Sequence, residues 1–198
     1  MKRTDLLIYL FVTLVLYSSC TGKRSSEKTT ENIRTYYSLG KEVSASAQGA
    51  LIQHLSKAIE EGGPAYAVQF CNLKAMEVID SISMVNNCVV SRVTDLNRNP
   101  GNFISSEEDK NIWTYYTNEI SEKAAADTVV ETPGSIVYFK PIKIGMPTCL
   151  KCHGQPGVDI DQNTMLVIDS LYPKDLARNY KSGDLRGLWK IEFSKSVQ

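Results

Sequence analysis

From residue 32 to Glu61 the apolar side chains Ile33, Tyr37, Val43, Ala47, Leu51, Leu55 and Ile59 recur mostly at a spacing of four, with polar residues between them. That period predicts a long amphipathic helix in which Gly40 and Gly49 are weak points. Gly62-Gly63 stops it, and Pro64 occupies a place that a first helical turn tolerates, so a second helix is expected from Ala65 to about Met84. Val68, Cys71, Ala75, Val78, Ile79 and Ile82 share one face of that helix, which aims Cys71 inward. Residues 88–94 are short and β-branched and read as a strand, followed by the turn-rich loop 97–102. Ser105 with Glu108 resembles a capping box that opens a helix through Ile112, Trp113, Tyr116 and Ile120 to about Ala125. Beyond it the pattern turns β-prone at 128–131, 135–143, 165–170 and 187–194, broken by Pro133-Gly134, Gly145, Gly154, Pro156-Gly157 and Pro173. Helices first and strands later predict an α+β fold with an antiparallel sheet.

The N-terminus carries a different signal. Lys2 and Arg3 precede an apolar run from Leu6 to Leu16, well short of the roughly 20 residues a membrane-crossing helix needs, and this is a signal-peptide pattern. The run ends in Ser18-Ser19-Cys20, which is similar to the lipobox of bacterial lipoproteins, although Tyr17 stands where Leu is usual. The expected organisation is a lipoprotein signal peptide over 1–19, a polar tether over 20–31 and one folded domain over 32–198. Cys20 would carry lipid and hold an exported protein on a bacterial membrane, facing the periplasm or exterior; plain secretion and an uncleaved anchor are the alternatives. With 198 residues, 42% hydrophobic and 22% charged, the composition is that of an ordinary globular domain. Lys+Arg and Asp+Glu balance at 22 each, so no long-range field attracts nucleic acid, and a nucleic-acid partner is not expected.

The chemistry lies in five Cys and two His. Cys149-Leu150-Lys151-Cys152-His153 is a C-x-x-C-H sequence, the attachment pattern of one covalent c-type haem. Two thiols at this spacing add across the two vinyl groups of a porphyrin, and the next residue, His153, is then held over the iron as proximal ligand. A thioredoxin-like pair would open a helix after a strand in a βαβ unit, which the flanking Met146-Pro147-Thr148 and Gly154 do not resemble. Half of a zinc site would need two further ligands, and only Cys71, Cys88 and His54 remain, singly scattered. No nucleotide-binding glycine loop or HExxH pattern is present, and a Ser/His/Asp triad would have to use His54 or His153. The candidates for a sixth iron ligand are Cys71, His54, Met76, Met84, Met146 and Met165; spacing does not choose among them, and Cys71 reads equally as a buried hydrophobe or as half of a disulfide.

The wider pattern resembles the PAS-like single-haem c-type domain, which occurs alone in bacterial exported proteins and as the extracytoplasmic sensor region of histidine kinases. The matching stretches are Gly63-Pro64 leading into Ala67-Val-Gln-Phe-Cys71, then Val90-Ser-Arg92, Arg98-Asn-Pro-Gly-Asn102 and Tyr138-Phe-Lys-Pro-Ile142, followed by Cys149-Leu-Lys-Cys-His-Gly154 and the closing Tyr180-Lys-Ser-Gly-Asp-Leu-Arg-Gly-Leu-Trp189. The resemblance implies long N-terminal helices, a PAS-like antiparallel sheet, a haem between them, and axial ligation by His153 and a Cys71 thiolate. Arg92 and Arg98 are candidates for pairing with haem propionates, against a reading as solvated surface arginines. Asn179 stands where the family tends to have Gly, which is tolerable because Asn visits left-handed backbone, and Cys88 is outside the family pattern and could compete for Cys71. The expected function is a redox or small-gas sensor whose output passes to a separate redox or signalling partner, since no kinase or cyclase segment follows Trp189. A single-haem electron carrier is the alternative, and an enzyme is not expected.

Overall fold

The computed structural model of the protein describes residues 21–119 and 126–195. The predicted signal peptide and the lipidation residue Cys20 lie outside the described residues, as do the last residues of the helix expected to reach Ala125. The described residues from Tyr37 onward belong to one compact unit. Among the described residues no helix is long and apolar enough to cross a membrane.

The first helix, α1, runs Thr21–Val85, and its backbone leaves helical geometry at Gly62 (φ −152°, ψ 15°) and Gly63 (φ 74°, ψ −174°). The two arms expected from the sequence are therefore there, and the Gly63 conformation is one that only glycine adopts readily. The stretch read as a polar tether is helical backbone from Thr21 onward. Gly40, read as a weak point, is a requirement: any Cβ there would collide with the Tyr138 ring.

Four strands follow, β1 (Val89–Val93), β2 (Thr128–Glu131), β3 (Ser135–Lys143) and β4 (Leu185–Ser194), in the order β1-β4-β3-β2 with every pairing antiparallel. Three helices join α1: α2 (Glu107–Glu119), α3 (Pro147–His153) and α4 (Gln162–Leu171). The fold is thus α+β with a PAS-like antiparallel sheet and a long N-terminal helix. Alternation along the strands divides the core in two. Val93, Val137, Phe139 and Leu188 pack with Ile104 and Tyr116 against α2, and Lys190 on the same sheet face bonds Asp109 of that helix at 2.8 Å. Tyr138 points the other way and meets Tyr37 of α1 edge-on at 5.9 Å. Pro141 is accommodated in β3 because β2 pairs only with residues 136–139, so no bond to β2 is lost there.

Two expectations are corrected. The cap of α2 is Ser106, whose Oγ accepts from the Asp109 N–H at 3.0 Å, and not Ser105 with Glu108. Residues 165–170, read as a strand from their apolar run, lie in α4, because Asp161 caps it by accepting from the Thr164 N–H at 2.9 Å. The Ile168 and Thr164 side chains are then fully buried on one helical face, a period that the short run did not reveal.

Candidate functional site

Helix α3 begins at Pro147, whose missing N–H costs nothing in a first turn, and its seven residues contain the whole C-x-x-C-H sequence. Cys149, Cys152 and His153 are three and four positions apart and so fall on one helical face. That face lines a cavity of about 430 Å³. Cys152 also touches the cluster of Val68, Ile160 and Ile168, while Cys149 and Leu150 touch Ile144, Ala177 and Tyr180. Burial pushes the Cys152 thiol up to about 11. Gly154 ends the helix tightly: a Cβ there would lie 2.5 Å from the Asp159 Cβ and 2.7 Å from the Leu150 carbonyl oxygen.

His153 is fixed from the 177–180 loop. Its Nδ1 lies 2.9 Å from the Ala177 carbonyl, which cannot donate, so Nδ1 carries the hydrogen and Nε2 is left with its lone pair. Burial, together with the nearby Arg186 and Arg98 charges, keeps the ring neutral by lowering its pKa well below the ordinary value. The Tyr180 N–H donates to the His153 carbonyl at 3.0 Å and the Asn179 N–H to that of Gly154 at 2.9 Å, a clamp that needs Asn179 in the left-handed conformation (φ 64°) expected of it. A neutral imidazole with one nitrogen tied back and the other available is what an iron ligand requires.

The facing wall comes from the second arm of α1 and from the sheet. Cys71 is half-buried there beside Ala67, Val68 and Ala75, and burial raises its thiol pKa against the lowering effect of Arg92 and Arg98. Arg92 of β1 lies opposite Trp189 of β4, its guanidinium carbon 5.8 Å from the ring centre. Arg186 reaches the same cavity through an irregularity in the sheet. Ile142 pairs with Gly187 but Lys143 with Leu185, so Arg186 is the extra residue of a bulge. Leu185 and Leu188 both pack toward α2, and the bulge releases Arg186 to the cavity side. Among the described residues no carboxylate pairs with Arg92 or Arg186, and burial lowers the pKa of both. The Arg186 Nε and Trp189 Nε1 donors are buried without a partner. Two sequestered cations without counter-charge fit a ligand that brings carboxylates.

Cys71, Arg92, Arg98, Cys149, Cys152 and His153 thus line one cavity. Arg98 is not a solvated surface arginine: Nε and Nη2 each bond Asp175 at 3.1 Å, and Nη2 donates to the Cys152 carbonyl at 2.7 Å. Cys88 does not compete for Cys71, since both are free thiols and Cys88 lines a separate surface hollow with Ser83 and Met84. Of the other candidate ligands, His54, Met76 and Met146 line the cavity, whereas Met84 lines the hollow beside Cys88 and Met165 packs against Ile160 and Ile168. Among the described residues no group of three or more His, Cys, Asp or Glu could hold a metal ion directly. Sequence reasoning missed Arg186 and Asp175.

Taken together, a thiol pair, an oriented neutral imidazole, an apolar wall containing Leu51, Leu55 and Ile59, and unpaired arginines suit a flat apolar cofactor carrying two vinyl groups and two carboxylates. A family model described as Tll0287-like matches residues 22–194. The structure is similar to the crystal structure of the cyanobacterial haem protein Tll0287, with a TM-score of 0.60 and 23% sequence identity over 81% of this chain and 97% of that one. The search of curated proteins gives no match.

Proposed function

The chain belongs to the Tll0287-like family, and from that premise we propose that it is an exported, lipid-anchored haem protein that senses redox state or a small gas. One haem would be attached through Cys149 and Cys152, ligated by His153 on one side and by Cys71 on the other. Arg92 and Arg186 would neutralise its propionates. The bound group would supply an iron that changes between ferric and ferrous and accepts a diatomic ligand. No residue of the cavity is assigned a catalytic role.

The observation that carries this reading is one cavity lined by both attachment thiols, His153, Cys71 and two arginines that pair with no carboxylate among the described residues. Sensing is favoured over electron transfer by where the two axial candidates sit. His153 ends α3, whereas Cys71 is on the α1 arm beyond the Gly62-Gly63 break, so making or losing the Cys71 bond couples to the placement of a separate element. Signal output would pass to a partner protein.

Absorption and EPR spectra of the wild type and Cys71→Ala, ferric and then ferrous with carbon monoxide, test the reading. A low-spin ferric thiolate signature that disappears in Cys71→Ala, with carbon monoxide binding to the reduced wild type, is the expected result. A six-coordinate spectrum indifferent to both the mutation and the gas would replace it with an electron carrier ligated by His54, Met76 or Met146.

A further inference from the structure

The carbonyl that orients His153 is shared. Ala177 O accepts from His153 Nδ1–H at 2.9 Å and from Arg98 Nη2 at 3.3 Å. The same guanidinium nitrogen donates to the Cys152 carbonyl, one residue before the histidine, so Arg98 holds both the helix that carries the imidazole and the acceptor that turns it. Arg98 is in turn held by Asp175, whose side chain is 0% exposed and accepts from Arg98 Nε and Nη2, Arg178 Nε (2.7 Å) and the Ala177 N–H (3.0 Å). A single buried carboxylate therefore pins the N–H of Ala177 directly and its C=O through Arg98.

This sharing has an electronic consequence. A cation on one lone pair of a carbonyl draws density from the other, and so weakens the bond that the carbonyl makes to the imidazole N–H. A weaker bond leaves the imidazole less anionic, and a less anionic ligand favours ferrous over ferric iron. Asp175 opposes the effect by partly neutralising Arg98. The two charges act on the ligand in opposite senses from the same place, which a purely mechanical buttress would not do.

We propose that Arg98 and Asp175 are a positioning pair that sets the strength of the His153 Nδ1–H bond to Ala177 and through it the redox potential of the site, and that Arg98 does not bind propionate. The proposal rests on the haem reading above. Its test is a redox titration of the holoprotein with Arg98→Gln, Asp175→Asn and Arg178→Gln, alongside the proton resonance of His153 Nδ1–H in the diamagnetic reduced protein, with carbon monoxide added where the reduced iron is high-spin. Arg98→Gln is expected to lower the potential and move the Nδ1–H resonance downfield, as its bond to Ala177 strengthens. Asp175→Asn is expected to raise the potential and move the resonance upfield. Arg178→Gln removes a charge from the same carboxylate without touching Ala177 O, so it controls for long-range electrostatics and should leave the resonance nearly in place. If Arg98→Gln does not fold, Arg98→Lys keeps the charge with fewer bonds and should shift in the same direction by less. Potentials that fall in both Arg98→Gln and Asp175→Asn, or a resonance in Arg98→Gln matching that in Arg178→Gln, would overturn the proposal. Absence of bound haem in the wild type would instead overturn the reading beneath it.

Discussion

At Gly154 the room for a side chain is already taken. A Cβ placed 2.5 Å from Asp159 and 2.7 Å from a backbone carbonyl forces the end of α3 to move, and overpacking of this kind costs about 1–3 kcal/mol. Gly154→Ala is expected to lower the thermal midpoint and reduce haem loading together, measured by calorimetry and by the ratio of haem to protein absorbance. Asp175 gives a pH dependence. Burial alone would raise its pKa, but the bonds and charges of Arg98 and Arg178 and the Ala177 N–H bring it below the ordinary 3.8. A depressed carboxyl contributes stability that is complete above its unfolded value and is lost as pH falls through the folded one. Acid unfolding of the wild type should therefore steepen below about pH 4, and Asp175→Asn should flatten that limb while destabilising the protein at neutral pH. The C-x-x-C-H residues were legible because their spacing is itself the signal. Arg186 was not, since only a bulge between Lys143 and Leu185 turns it to the cavity, and neither was Asp175, whose partners lie far along the chain in Arg98 and nearby in Arg178.

The elements divide along the same line. The second α1 arm, the break at Gly62-Gly63 and strands β1 to β4 follow from apolar period and turn residues, and their bounds differ from expectation by only a residue or two, whereas the first arm starts at Thr21, eleven residues before the expected position. Helix α4 was misread because Met165, Leu166, Val167 and Ile168 form a run too short to separate a helical from a strand period. Its cap, Asp161 with Thr164, carried the information: the Asp161 carboxylate accepts from both the N–H and the hydroxyl of Thr164, at 2.9 and 2.7 Å. Asp161→Ala is expected to cost about 1 kcal/mol in urea unfolding, and Asp161→Asn, which keeps an acceptor for the N–H, clearly less. A loss confined to the noise in both variants would mean that packing of Ile168 alone holds α4.

For the molecule as a whole, the expected α+β architecture and the closing of the cavity around the predicted residues agree, whereas the apportioning of arginines needed the structure. Arg92 carries a desolvated charge that pairs with no carboxylate among the described residues, and this gives its replacement two opposite signs. In a haem-free Cys149→Ser/Cys152→Ser background, Arg92→Met should raise stability by about 1 kcal/mol, because an uncompensated charge leaves a desolvated site. In the haem-loaded protein the same change should lower it by about 1–3 kcal/mol, because it strips a partner from a carboxylate. Thermal unfolding of the four proteins checks this, and the same sign in both backgrounds would remove Arg92 from the propionate site.

The most direct test of the central claim is whether haem stays with the polypeptide once the fold is gone. The wild type, produced by export in a host that matures c-type cytochromes, would be denatured, extracted with acidified acetone and weighed by mass spectrometry beside Cys149→Ser/Cys152→Ser. The account expects one haem per chain to survive extraction on the wild type and none on the double variant. Haem that extracts cleanly from the wild type, or a wild-type mass equal to the polypeptide alone, would contradict it.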